Sequence, residues 1–136
     1  MQRQNIASGT VWEGIAGYSR AVRVGDLVFV SGTTATDEQG RLVGPGDVYA
    51  QTAYILSKIG AALEAAGATL ADVVRTRIYV TDVTRWEEAA RAHAEVFGAI
   101  RPANTLIEVS RLVGDGYLVE VEADAVIGAS GQGADA

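Results

Sequence analysis

The side chains able to do chemistry in this chain are few, and they are built on oxygen and guanidinium groups. Glu120, Glu122 and Asp124 alternate with Val119, Val121, Ala123, Ala125 and Ile127. Period-two spacing puts the three carboxylates on one face of a strand, where they can hold water or move protons. Arg75, Arg77 and Tyr79 share one face of another strand-like run, VVRTRIYVT at 73–81. Ser31 precedes Gly32 at a strand end, where a serine is usually a turn residue, and a lone Tyr18 is usually packing. The single histidine, His93, follows Trp86 by seven residues on a helical stretch and reads as a surface or interface residue. There is no cysteine, which excludes disulfides and thiolate chemistry. One histidine argues against a His-rich zinc or iron site, so no metal is expected. Gly14, Gly17, Gly32, Gly44 and Gly46 form no GxxxxGK[ST] phosphate loop.

Strands and helices must position these groups. Residues 18–24 and 27–33 read as two strands joined by a short turn at Gly25-Asp26. The turn-rich segment 34–46 leads to a helix over about 47–66, in which Ile55, Ile59 and Leu63 recur every four residues. Asp47 suits its N-cap and Gly67 its C-terminal stop. A second helix covers about 84–97, with Thr84 and Glu87 at capping-box spacing and Gly98 at its end. Residues 73–81, 104–110 and 117–127 complete the strands. Residues 1–16, with Trp12 as their one aromatic side chain, read as an arm or loop. The domain is expected over 1–127, and the small polar tail 128–136 is expected to be flexible.

The order is β-β-α-β-α-β-β, an α+β chain with a single sheet and two helices on one face. Several strands are apolar on both faces: Leu27 and Phe29 oppose Val28 and Val30, Ile78 and Val80 oppose Tyr79, and Leu106 opposes Ile107. Two helices cover only one face of such a sheet, and soluble monomers rarely leave a large apolar patch in water. A second copy is the economical cover. The carboxylates of 120–124 would then lie on the partner-facing side, unless that face is simply solvated.

Composition bounds the partners. The 136 residues suffice for one domain. The net charge of −6 and a pI near 4.7 argue against broad nucleic-acid binding, which needs a basic footprint. No stretch approaches 18 continuous apolar residues, and the first ten residues have no apolar signal region. No membrane span is expected, and a cytoplasmic location is the default.

Four segments together resemble the RidA (YjgF-like) family. They are Gly17-Tyr18, Val30-Ser31-Gly32, Arg101-Pro102-Ala103-Asn104-Thr105, and Glu120 within LVEVEADAV. The stretches AGATLADVVRTRIYVTDV and TLIEVSRL stand where that family has its middle and penultimate strands, so the likeness spans about residues 5 to 127. The resemblance implies a chorismate-mutase-like fold and a homotrimer whose sheets form a central barrel, with three ligand clefts between subunits. It implies a small-molecule hydrolase or deaminase that converts enamines and imines to 2-oxo acids and ammonia without any cofactor. Glu120 matches the family residue that positions water and shuttles protons, and Tyr18 and Ser31 match residues that line the cleft.

The chain departs from the family at Asn104, where active deaminases carry an arginine that forks onto the substrate carboxylate. Asparagine cannot make that bidentate, charge-assisted pair, whose loss costs about 2–5 kcal/mol when the partner charge is buried. This points to an arginine-lacking branch and to a substrate other than 2-aminoacrylate. Arg77 is the candidate to enter the cleft in its place, although an interface or edge role is the plainer reading. Three functions compete: an imine or enamine hydrolase, a non-catalytic ligand-binding protein of the same fold, and, weakest for an acidic chain with one histidine, a ribonuclease.

Overall fold

The strand that carries the carboxylates holds the sheet together. The computed structural model describes residues 1–131. Its single sheet contains β1 (Arg3–Ile6), β2 (Ala21–Val24), β3 (Leu27–Thr33), β4 (Val73–Val80), β5 (Ala103–Glu108) and β6 (Val119–Val126). The spatial order is β1-β2-β3-β6-β4-β5. β6 therefore lies between β3 and β4, antiparallel to both, and β5 runs parallel to β4 at one edge. The helices are α1 (Val11–Ala16), α2 (Val48–Ala65) and α3 (Trp86–Phe97), the last forming the crossover between β4 and β5.

Alternation along β6 works as its spacing predicts. Val119, Val121, Ala123 and Ala125 are buried against the helices with Ile55, Ile59, Leu63 and Phe97. Each buried side chain of Val or Ile size contributes roughly 1.5–3 kcal/mol. Glu120, Glu122 and Asp124 take the opposite, open face. There Leu27, Phe29 and Ile107 remain 43%, 46% and 46% exposed, so one chain leaves this face apolar in part and uncovered.

The local signals mostly hold. Val24 pairs with Leu27 across a two-residue turn, in which Gly25 takes a φ of +59°. The Asp47 side chain accepts from the Ala50 N–H and caps α2, and Gly67 lies past its end at φ +88°. Three expectations are corrected. Residues 1–16 are not an arm: β1 pairs with β2, and α1 forms because buried Glu13 accepts from the Ser8 N–H, the Ser8 hydroxyl and the Thr10 hydroxyl. The strand expected over 18–24 begins at Ala21, as β2. The capping box of Thr84 and Glu87 is absent, because Asp82 takes both the N–H and the hydroxyl of Thr84 and starts a 3-10 turn before α3. At the other end, the N–H groups of Gly128 and Ser130 donate to Asp72, and residues 132–136 of the expected tail lie outside the described residues.

Candidate functional site

The site grows from an irregularity in β3. Between Val30 and Thr33 the strand advances three residues while β6 advances two, from Ala123 to Val121. The extra residue makes a bulge at Ser31-Gly32, a device that bends a strand and re-aims neighbouring side chains. Gly32 has no side chain, and the Glu120 carboxylate occupies the space where one would stand. A Cβ built on Gly32 would lie 2.5 Å from Glu120 Oε2. Burial raises the Glu120 pKa above its ordinary value; Glu122 adds to that rise and the Arg20 charge opposes it. Glu120 is thus a partly desolvated carboxyl group whose acidity is weakened, the kind of group that can both take and return a proton.

Glu120 opens onto a cleft of about 230 Å³, lined also by Tyr18, Arg20, Gly32, Thr34 and Lys58, with Trp12, Ile15 and Val113 as apolar walls. That space suits a small metabolite. A larger hollow of about 710 Å³ lies between residues 1–4 and the β2–β3 turn. It gathers little chemistry, since Arg23 there already donates to the carbonyls of Gly25 and Ala66. The smaller cleft is the candidate site.

Two of its cations are absent from the sequence-based candidates. Arg20, 6% exposed, donates from Nη2 to the Gly32 carbonyl at 2.6 Å, and its guanidinium sits 5.7 Å from the Tyr18 ring centre. Its Nε is buried without a partner. Lys58 reaches from α2 to donate to the Thr34 carbonyl at 2.8 Å. Burial, with the Arg20 charge, lowers its pKa to about 8, against the opposite pull of Asp37 and Glu13. Sequence signals for both existed. Arg20 stands two residues from Tyr18, on the same side of an extended segment. Lys58 is the lone cation of α2 and falls beside Ile55 and Ile59 on its buried side.

The other sequence-based candidates are placed differently. The Ser31 N–H donates to the Arg20 carbonyl and its hydroxyl to the Ser19 carbonyl at 2.7 Å, so Ser31 fixes the bulge from behind the cleft. Arg77 does not reach Glu120: it pairs with Glu122 at 3.4 Å and Asp124 at 3.2 Å on the open face, where Tyr79 donates to Glu122. Asn104 turns to the helix side of the sheet and donates to Thr76 Oγ1 at 3.0 Å. Thr76 in turn bonds His93 Nε2 at 2.8 Å. His93 is therefore half-buried against Phe97 rather than a surface residue, and burial lowers its pKa. Within one chain, Tyr18 and Glu120 share the cleft and Asn104 and Arg77 do not. Among the described residues no three or more His, Asp or Glu side chains are grouped to hold a metal ion. No helix among them is long and apolar enough to cross a membrane.

Comparison with known proteins decides the lineage. The family model described as endoribonuclease L-PSP matches residues 10–127. The chain belongs to this YjgF/RutC/RidA family. A crystal structure of a YjgF/YER057c/UK114 family member from Mycobacterium tuberculosis is 52% identical, with a TM-score of 0.85 over 93% of this chain and 100% of that one. A RutC family protein of Pyrococcus abyssi is 39% identical over 80% of this chain and 85% of its own length. A structure of a protein described as an endoribonuclease from Thermotoga maritima is 32% identical, with a TM-score of 0.77, covering 90% and 91% of the two chains. The six-stranded sheet with its two long helices is the YjgF-like fold.

Proposed function

We propose that this YjgF-like protein is a cofactor-free hydrolase of a small imine or enamine, working in the cleft that Glu120 closes. The observation that carries the reading is the Glu120 carboxyl group held in a partly buried cleft over Gly32, with its pKa raised by burial. As a carboxylate it takes a proton from an attacking water as the water oxygen bonds to the imine carbon. As a carboxylic acid it returns that proton to nitrogen, giving a tetrahedral intermediate with a hydroxyl and an amino group; the same carboxyl group then carries the hydroxyl proton to the nitrogen as the C–N bond breaks, releasing a carbonyl compound and ammonia. The imine and one water are consumed, and nothing is oxidised or reduced.

The substrate differs from 2-aminoacrylate in this reading, because Asn104 stands where the active members of the family carry arginine. We infer a homotrimer in the cytoplasm, its open faces covering one another's Leu27, Phe29 and Ile107, with the clefts lying between neighbouring subunits. An acidic surface and a cleft of about 230 Å³ fit a small molecule better than an RNA chain. The test is ammonia release from a panel of imines, with and without a carboxylate, by the wild type and by Glu120→Gln. Turnover that vanishes in a folded Glu120→Gln supports the reading. Binding without turnover in both proteins would make this a ligand-binding protein of the same fold. Equal turnover in both would overturn the role of Glu120.

A further inference from the structure

Arg20 and Lys58 stand out once the cleft is described by charge. A buried cation is ordinarily paired with an anion, since its desolvation is otherwise uncompensated. Arg20 is 6% exposed, yet none of the three ion pairs within 4.0 Å among the described residues includes it. Of its five N–H donors one is bonded, to the Gly32 carbonyl, and Nε has no partner. Lys58, half-buried on the facing helix, spends one of its three donors on the Thr34 carbonyl. Both cations are tied to carbonyls at the end of β3 and just past it, Gly32 and Thr34, and the Tyr18 ring steadies the guanidinium.

We propose that Arg20 and Lys58 together form the anion anchor of this cleft and hold the carboxylate of a small 2-oxo or imino acid. The inference deepens the hydrolase reading and rests on the same cleft. It places the anchor on the wall formed by residue 20 and α2, whereas Asn104 points to the other side of the sheet, so the acid held there would differ in shape from 2-aminoacrylate. Charge around the pair agrees. Burial is the main reason that the Lys58 pKa falls, and the Arg20 charge adds to it while Asp37 and Glu13 oppose it, so the two cations are close enough to feel each other. A carboxylate entering beneath Tyr18 would meet free donors from both cations. Its 2-carbon would face Glu120, at the position a water must attack.

Calorimetry with pyruvate and with its neutral twin pyruvamide tests this at pH 7. The wild type should bind pyruvate about tenfold or more tightly than pyruvamide, as a charge-assisted pair in a desolvated cleft requires. Lys58→Met should abolish that preference and Lys58→Arg should retain it, with circular dichroism confirming that both variants are folded. Because Lys58 loses its proton near pH 8, the preference should also shrink from pH 7 to pH 9 in the wild type. A folded Lys58→Met with wild-type pyruvate affinity overturns the inference, as does a wild type that binds the two compounds alike or binds neither. The ammonia assay reports on the hydrolase reading separately. Lys58-dependent pyruvate binding without turnover of any imine would leave the anchor standing and remove the chemistry.

Discussion

Replacing Gly32 with alanine perturbs the cleft where it is tightest. The added methyl carbon would lie 2.5 Å from Glu120 Oε2, 3.0 Å from its Cδ and 3.3 Å from its Cγ. Ordinary contact begins at 3.4 Å, so the carboxylate must retreat by at least 0.9 Å, the difference between 3.4 and 2.5 Å. A displacement of about 1 Å in a positioned catalytic group costs on the order of 100-fold in rate. Folding should barely notice. Gly32 is outside the left-handed region, so alanine fits the backbone and constrains the unfolded chain, a gain of about 0.4–1 kcal/mol. Moving the flexible Glu120 side chain off its preferred rotamer costs a similar ~0.5–1.5 kcal/mol. The expected result is a melting temperature within a few degrees of wild type and kcat/KM near one hundredth of it, read by ammonia release. Pushing the carboxyl group toward water also relieves its desolvation, so the acidic limb of the pH–rate profile should move down toward 4.5. Glu120→Ala in the Gly32→Ala background should lose no more than Glu120→Ala alone, because both act through one group. Near-wild-type turnover by Gly32→Ala would refute the placement of Glu120, and additive losses would refute the claim that Gly32 matters through it.

Further outcomes are expected elsewhere. Light scattering at micromolar concentration should give a particle near three times 14.2 kDa, and Phe29→Glu on the open face should reduce it to the mass of one chain; a monomeric wild type sinks the covering argument. Asp72→Asn should lower stability by about 1–3 kcal/mol, since the buried carboxylate accepts from the Thr69, Gly128 and Ser130 N–H groups. Burial opposes ionisation of Asp72, but those bonds outweigh it and hold its pKa low, so its contribution is full above the ordinary value of 3.8 and fades as pH falls through the folded value. Denaturant melts at pH 7 and pH 3 should therefore show a larger gap between wild type and Asp72→Asn at pH 7. Thr76→Val should cost about 1–3 kcal/mol by leaving the Asn104 amide and the His93 ring without their shared partner, without changing the pyruvate affinity of the cleft; a weaker affinity would tie Asn104 to the ligand after all.

What could be read in advance follows from how locally each feature is encoded. The alternation of Val119 to Ala125 and the four-residue rhythm of Ile55, Ile59 and Leu63 specify burial by themselves, so β6, α2 and the open carboxylate face were legible. β1 was not, because RQNI carries no apolar alternation and is held by pairing with β2. α1 is six residues long and depends on Glu13 collecting the groups of Ser8 and Thr10, a tertiary detail no periodicity announces. Glu120 and Tyr18 were found through family likeness, but their surroundings were not. Arg20 and Lys58 carry weaker signals, since a charged residue at a strand entrance usually points to water and one lysine hardly disturbs an apolar helix. The roles weighed for Arg77 and His93 turned on which neighbours the sheet would supply, and strand order is not written in either segment.

The central place of β6 has a consequence for the life of the nascent chain. Strands β1 to β3 come from the first quarter of the sequence, and β4 with β5 from its second half, yet the two groups share no ladder until residues 119–126 are inserted between them. While the ribosome is still making those residues, the inner edges of β3 and β4 are both unpaired, a state prone to sticking to other chains. Synthesis halted near residue 115 would thus yield a chain whose two strand groups share no ladder rather than a slightly shortened protein. Glu120 arrives on the same strand that joins them, so a chain with a formed cleft is also one whose sheet has closed.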